Sequence, residues 1–291
     1  MMTLFQMEVL IAVMNTGNFT RAGEQIGLSQ SGVSHTIRSL EKELGISLFI
    51  RERGGVRLTA TGEQIAASAR IVLNQVSQMK RIAAEANGGS LSGTIRIGAF
   101  PSVSVQMLPR LLKALHGSYP ELDTRLFEGS YQEIKEWLRT GVVDVGFLPW
   151  PDDELEGVLL LHDPLLAVLP VGHSLAAAKE LALSQLAAEP FIMPMAGCEA
   201  LIGSAFAAAN LTPNVAYEVA DNATILAMVE AGVGVTVVPA LTLPEPLSSV
   251  AARELSPPLK REIGVAVRSL RDASPAVHAF IQLAQRFSTL S

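Results

Sequence analysis

The chain is 291 residues long, with 28 acidic against 22 basic side chains and a formal net charge of −6. Its single cysteine excludes an intramolecular disulfide, and the apolar run at residues 10–13 is far too short to cross a membrane. With no secretory or transmembrane segment legible, a cytoplasmic protein is expected. The first informative elements lie between residues 19 and 62. Thr20 is placed to cap a short helix over residues 21–26, with Ala22 and Ile26 on its inner face. Gly27 supplies a turn, and Ser29 caps a second helix over about residues 30–44. There Val33, Ile37, Leu40 and Leu44 recur at helical spacing, which buries one face. The opposite face shows Gln30, Ser31, Ser34, His35 and Arg38, side chains able to reach base edges and phosphates. Alone, this pattern also fits a small three-helix domain with a solvated polar face.

The next stretch, ISLFIRERGGVRLTATG, puts two short apolar runs around Gly54 and Gly55, the pattern of a hairpin. Arg51, Arg53 and Arg57 lie on or beside it, and guanidinium groups next to such a helix suit phosphate contact. The expectation is a winged helix-turn-helix that enters the major groove of double-stranded DNA. Residues 1–87 hold 9 Lys and Arg against 7 Asp and Glu, whereas the remaining 204 hold 13 against 21. That asymmetry is too modest to imply DNA binding by itself.

From residue 61 to about residue 87 there is no Pro, and Gly62 is the only Gly. Ile65, Ala69, Val72, Val76, Met79, Ala83 and Ala86 alternate at spacings of four and three, a heptad seam. A helix of this length spans roughly 40 Å at 1.5 Å per residue. A partner helix is its natural cover, the alternative being an amphipathic helix packed on the rest of the chain. Pairing would present two recognition helices to half-sites about a DNA turn or a multiple apart. NGGSLSG, residues 87–93, then ends the helix in a joint.

The N-terminal 90 residues resemble the LysR-type transcriptional regulators, through LFQMEVLIAVMNTGNFTRAGEQIGLSQSGVSHTIRSLEKELGISLFIR and the RLTATG that leads from wing to linker helix. The resemblance continues at lower density through the rest of the chain. It implies that Gln30, Ser31, Ser34, His35 and Arg38 occupy recognition-helix contact positions, and that Arg51 and Arg53 occupy wing positions. His35 stands where the family often has Arg, and a neutral imidazole there weakens phosphate attraction or alters base choice. The resemblance also implies a homotetramer built as a dimer of dimers. Its effector-dependent rearrangement would change DNA bending and contact with RNA polymerase.

Beyond the joint, a strand–helix–strand–helix–strand run (GTIRIGAF, SVSVQMLPRLLKALHGSYP, DTRLFEG, YQEIKEWLRTG, VVDVGFLP) is followed by a second (PFIMPMAG, EALIGSAFAAAN, NVAYEVAD, ATILAMVEAGVG, VTVVPA). Two such runs with near-continuous apolar strands indicate two α/β lobes with mostly parallel sheets. DPLLAVLPVGHSLA and REIGVAVRSL are candidates for the crossings between lobes, and SPAVHAFIQLAQRF for a helix returning to the first. The fold class is therefore α/β. It comprises a winged helix-turn-helix (residues 1–60), a dimerisation helix (61–87) and a two-lobed, periplasmic-binding-protein-like effector domain (88–291). Lobe I takes about 93–163 and 268–291, and lobe II about 164–267.

Ligands in open α/β sheets bind beyond the carboxyl ends of strands. That rule nominates Phe100, Ser102, Ser104, Pro149, Trp150, Met195, Gly197, Cys198, Asn222 and Thr224 as effector-binding residues. Ser102 can cap the following helix and aim its amides at a carboxylate, or be a plain cap. Its place, seven residues before Pro109, matches the family's usual effector-contacting hydroxyl. Trp150 can stack on a ring or seal the hinge. No Lys or Arg occurs in these segments, which favours a monoanionic or uncharged effector. No catalytic or cofactor motif is present, and His35, His116, His162, His173 and His278 are scattered without metal-ligand spacing. Cys198 can form a sulfenic acid but has no resolving thiol. The expected function is a sequence-specific DNA-binding transcriptional regulator that senses a small metabolite, without cofactor and not an enzyme. The alternative is an effector-independent DNA-binding repressor or architectural factor.

Overall fold

The computed structural model describes residues 1–52, 55–86, 91–244 and 246–288, without the side chains of Arg51, residues 81–86 and Ser288. The chain divides into two units, Met1–Gly93 with Glu136–Val143, and Thr94–Lys135 with Asp144–Ser291.

The first unit opens with α1 (Leu4–Thr16), started by a reciprocal cap between Thr3 and Gln6. Its Val9, Leu10, Ala12 and Val13 are all buried, so this helix is apolar through much of its girth and lacks a clean periodic stripe. α2 (Phe19–Ile26) begins earlier than the sequence pattern indicates. Asn18, not Thr20, is the cap: its Oδ1 accepts from the amides of Thr20 at 2.8 Å and Arg21 at 3.2 Å. Thr20 lies inside the first turn because the extended backbone ends at Asn18. Gly27 closes the helix at φ 72°, a conformation in which a side chain would be strained.

α3 (Gln30–Leu44) starts at Ser29, whose Oγ accepts from the Gly32 amide at 3.1 Å, as expected. Val33, Ile37 and Leu40 are buried against α1 and α2, each burial contributing about 1.5–3 kcal/mol. β1 (Phe49–Glu52) and β2 (Gly55–Leu58) form the antiparallel hairpin, with Phe49 opposite Leu58 and Glu52 opposite Gly55. The hairpin is tied down twice. Glu41 of α3 accepts from the amides of Leu48 and Phe49, and the Val56 amide donates to the Gly17 carbonyl at 2.9 Å. α4 (Ala60–Ala86) follows, capped by Thr59 Oγ1 on the Gly62 amide at 2.9 Å. Ala66 and Ala69 are buried in the core of this unit, with Ile65 and Leu73 packed against it, whereas Val72 and Met79 are exposed. The side chains of Ala83 and Ala86, and most of the expected joint, lie outside the described residues.

From residue 93 onward the elements run β3 (Gly93–Ala99), α5 (Pro101–Gln106), α6 (Leu108–Ser118), β4 (Leu122–Glu128), α7 (Tyr131–Thr140, which counts with the first unit from Glu136) and β5 (Val145–Pro149). The long β6 (Glu156–Pro170) leads to β7 (Glu180–Leu181), α8 (Leu183–Ala187), β8 (Pro190–Pro194), α9 (Glu199–Ala208) and β9 (Asn214–Val219). α10 (Asn222–Glu230), β10 (Val235–Pro239), β11 (Val250–Val267) and α11 (Pro275–Ser288) complete the order. The single helix expected after β3 is two, broken at Met107. Pro109 has no amide to carry the helical bonding across that point.

The sheet order is β4-β3-β5-β11-β6-β10-β8-β9, with β7 beside β11. Pairing is parallel where β3 meets β5, where β7 meets β11 and where β8 meets β9 and β10, and antiparallel where β6 meets β10 and β11 and where β11 meets β5. β6 and β11 pair from Val267 opposite Glu156 to Val250 opposite Pro170, with an irregularity between Glu254 and Leu259. These two strands carry the chain between the lobes, as the sequence pattern indicates, and α11 returns to pack on α6. Each side has its own apolar packing, with Phe147 edge-on to Phe280 in one and Phe191 edge-on to Phe206 in the other.

Candidate DNA-binding face and effector cleft

In the first unit, Gln30, Ser31, His35 and Arg38 are exposed on α3 and Ser34 is half-buried, on the side away from Val33, Ile37 and Leu40. The Ser31 hydroxyl lies 3.0 Å from that of Ser29, which fixes it at the helix start. Arg57 pairs with Glu52 across the hairpin at 3.0 Å, both well exposed, so the pair contributes little and leaves the guanidinium available. The Arg51 side chain and all of Arg53 lie outside the described residues.

In the second unit, the carboxyl ends of the strands enclose a small cavity with about 20 Å³ of room for water centres, enough for one water. Its chemistry centres on Arg261 of β11, which is 8% exposed. The guanidinium Nε donates to Asp163 Oδ2 at 2.8 Å, and Nη2 lies 2.7 Å from the same oxygen. Nη2 also donates to Ser102 Oγ at 2.8 Å. Nη1 donates to the Tyr131 hydroxyl at 2.7 Å and to Cys198 Sγ at 3.7 Å. The ring of Phe100 lies beneath the cation, 5.0 Å from its carbon, and meets Tyr131 edge-on.

Burial pushes the Tyr131 phenol and the Cys198 thiol above their usual ranges, against the opposing pull of Arg261. Both groups are therefore neutral at physiological pH. Burial alone would lower the Arg261 pKa, but Tyr131, Cys198 and Asp163 together raise it, so the cation is secure.

Residues 88–288 match the LysR substrate binding domain, and residues 4–63 match the bacterial regulatory helix-turn-helix protein, lysR family. The HTH-type transcriptional regulator YvbU of Bacillus subtilis (strain 168) is 37% identical over 290 residues, 98% of each chain. The chain belongs to the LysR family of transcriptional regulators. Full-length CbnR complexed with its target DNA has a similar structure, with TM-score 0.66 and 25% identity over 98% of this chain and 99% of that one. A full-length OxyR variant from Pseudomonas aeruginosa shares the fold at TM-score 0.82 and 24% identity, over 100% of this chain and 95% of that one. The protein is thus a DNA-binding transcriptional regulator with a substrate-binding domain, in a family of regulators rather than enzymes. Among the described residues, no helix is long and apolar enough to cross a membrane.

Of the residues expected in the effector cleft of this LysR-type regulator, Phe100, Ser102, Cys198 and Asn222 line the cavity. The others have different places. Trp150 packs on the backbone of Gly157 and Gly264, sealing the crossover strands, and Pro149 precedes it at the end of β5. Met195 is exposed and binds through its amide to the Val219 carbonyl. Gly197, at φ 102°, lets the Tyr131 ring approach so closely that a Cβ would lie 2.5 Å from it. The Thr224 hydroxyl is taken by the Asp221 cap at 2.7 Å. Ser104 Oγ is buried without a hydrogen-bond partner and lies outside the cavity wall.

Two expectations are corrected. Ser102 does not cap α5: Phe100 holds the cap position, and the Ser102 hydroxyl serves Arg261 instead. Pro101 has no amide, and those of Val103 and Ser104 bond to the Phe100 carbonyl, so little of an anion cradle remains. The cleft also does contain a cation. Arg261 lies in the crossover strand, not in a strand-end loop, so the strand-end rule does not reach it. The legible signal was one charge of each sign, Asp163 and Arg261, opening the two segments expected to cross between the lobes; both are buried.

Proposed function

We propose that this regulator reads a partly palindromic operator in double-stranded DNA and changes its grip when a small metabolite enters the Arg261 cleft. Gln30, Ser31, Ser34, His35 and Arg38 carry the groove contacts, with Arg51 and Arg53 on the wing. Residues 1–60 form the DNA-binding module, 61–87 the pairing stem and 88–291 the effector domain. Pairing through α4 gives a homodimer, two dimers make a homotetramer, and the assembly signals to RNA polymerase in the cytoplasm.

The observation that carries the effector reading is the bridging by Arg261. One buried guanidinium holds Ser102 and Tyr131, from the run before β6, together with Cys198, from the run after it. A molecule that replaces any of these bonds changes the balance between lobe arrangements, and only such differential binding shifts an equilibrium. Arg261 is already neutralised by Asp163, and the starts of α9 and α10 are met by Glu199 and Asp221. An uncharged polar effector therefore suits the site best, a monoanion less well. Genomic footprinting of the full-length protein, followed by reporter assays with metabolites of the neighbouring genes, tests this. Induction abolished by Ser102→Trp is expected; induction that survives the change refutes the cleft as the effector site. The effector-independent alternative draws on the small cavity, and a constitutive footprint indifferent to all such metabolites would establish it.

A further inference from the structure

Helix α7 is hydrogen-bonded at both ends, to different parts of the chain. At its start the Tyr131 hydroxyl accepts from Arg261 at 2.7 Å, and the Tyr131 ring lies against Phe100 and Gly197. Ser130 and Glu133 cap that start reciprocally, which fixes the first turn to the tyrosine. The far end, from Glu136 to Val143, counts with the first unit. There Gly141 turns the chain at φ 68°, and its carbonyl accepts from Asn74 Nδ2 of α4 at 3.1 Å. The approach is close: a Cβ on Gly141 would lie 2.9 Å from Asn74 Nδ2, 3.7 Å from Ile71 and 3.9 Å from Arg70.

Asn74 lies where α4 leaves the core of the first unit. Ala66 and Ala69 are buried and Leu73 packs at the margin, whereas Asn74 is one residue further on and half-buried. At 3.6 residues per turn it stands roughly opposite Val72 on the helix, so the end of α7 leaves the exposed seam free for pairing. Arg70, beside Gly141, reaches on to Asn15 Oδ1 at 3.4 Å, close to the Gly17 that holds the wing. The other flank of the α7 end is open. Gln64 and Ala67 of α4 face Glu136 and Thr140 of α7 across a hollow with about 640 Å³ of room for water centres.

We infer that α7 is a push-rod between the effector cleft and the stem, with Asn74 as the residue that positions α4 for DNA binding. A helix of 10 residues is about 15 Å long and stiff along its axis. A molecule that takes the place of the Tyr131–Arg261 bond releases its start. The far end then shifts toward the open flank, the Gly141 carbonyl leaves Asn74, and the outer half of α4 is freed together with Arg70. The trigger rests on the effector reading of the cleft; the mechanical link rests on the two hydrogen bonds.

A double-mutant cycle in the full-length protein, on its footprinted operator, tests the link. Tyr131→Phe removes the bond to Arg261 and keeps the ring, whereas Asn74→Asp keeps the shape and replaces the donor by an acceptor. Tyr131→Phe should change operator affinity by about threefold or more. In the Asn74→Asp background the same change should have an effect below about 1.5-fold. Asn74→Leu, which lacks the donor altogether, should uncouple likewise. Amide hydrogen exchange over residues 66–80 gives a second readout: Tyr131→Phe should speed it by about twofold or more, and should add nothing in Asn74→Asp. This readout needs no operator and decides the matter for any variant that no longer binds one. No effect of Tyr131→Phe alone, or an equal effect in both backgrounds, overturns the push-rod. Induction by metabolites, and its loss in Ser102→Trp, is scored separately. Additive effects with induction intact remove the push-rod alone, and non-additive effects without any inducing metabolite remove the effector reading alone.

Discussion

Asp163 and Arg261 are direct partners in the register of two antiparallel crossover strands, and one carboxylate oxygen lies within 2.8 Å of two guanidinium nitrogens. Both residues are almost wholly buried, so each depends on the other for charge balance. Arg261→Met should cost about 3–5 kcal/mol because it strands a carboxylate in the interior. The double change Arg261→Met with Asp163→Leu should recover most of that loss, since a matched apolar pair leaves no uncompensated charge. Urea unfolding of the three variants checks this; a double variant no better than the single one would show that the pair matters for shape rather than charge.

The raised pKa of Cys198 fixes the sign of a pH effect. A thiol whose folded-state pKa exceeds its unfolded value favours folding below the unfolded value, and that contribution is lost as pH rises through the folded one. Tyr131 acts in the same direction at higher pH. Iodoacetamide at pH 8 should therefore label Cys198 at least about tenfold more slowly in the native protein than in urea, because burial and a scarce thiolate act together. Equal rates would show an open, reactive thiol.

The exposed residues of α4 make a prediction about assembly. Val72 and Met79 lie on the outer half of the heptad seam, whose earlier members Ile65 and Ala69 belong to the core of the first unit. Met79→Glu should weaken dimerisation by about 100-fold, since each protomer loses about 1.5 kcal/mol or more of apolar burial. Sedimentation equilibrium reads this directly, and an unchanged dimer would place the interface elsewhere.

On DNA the two kinds of contact should separate. Arg51→Ala and Arg53→Ala should weaken binding to all sequences and lower the salt slope by about 1 each. Gln30→Ala should instead cost about 1–3 kcal/mol at a single base pair and relax preference there. Mobility shifts across a salt series distinguish them; an unaltered slope in both arginine variants would remove the wing from the interface.

The regular elements were legible wherever periodicity and caps coincide. Ser29 with the Val33, Ile37, Leu40 stripe gave α3 with its observed bounds, and the two strand–helix runs gave the sheet. α1 carries no such stripe, because its apolar residues surround much of the helix, and only tertiary burial explains it. The cleft was half legible. Strand-end positions found Phe100, Ser102, Cys198 and Asn222, which depend on local chain geometry. Arg261, Asp163 and Tyr131 meet only through register between distant strands and the approach of α7, and no local pattern encodes that.

The hairpin's double attachment has a mechanical consequence. Glu41 holds its root to α3, and Gly17 holds its second strand to the corner between α1 and α2. Helix and wing thus behave as the fixed jaws of a caliper, set before any duplex arrives. If helix and wing both grip the duplex as proposed, an operator of imperfect width would have to deform itself, and the stiffness of its base steps would enter recognition.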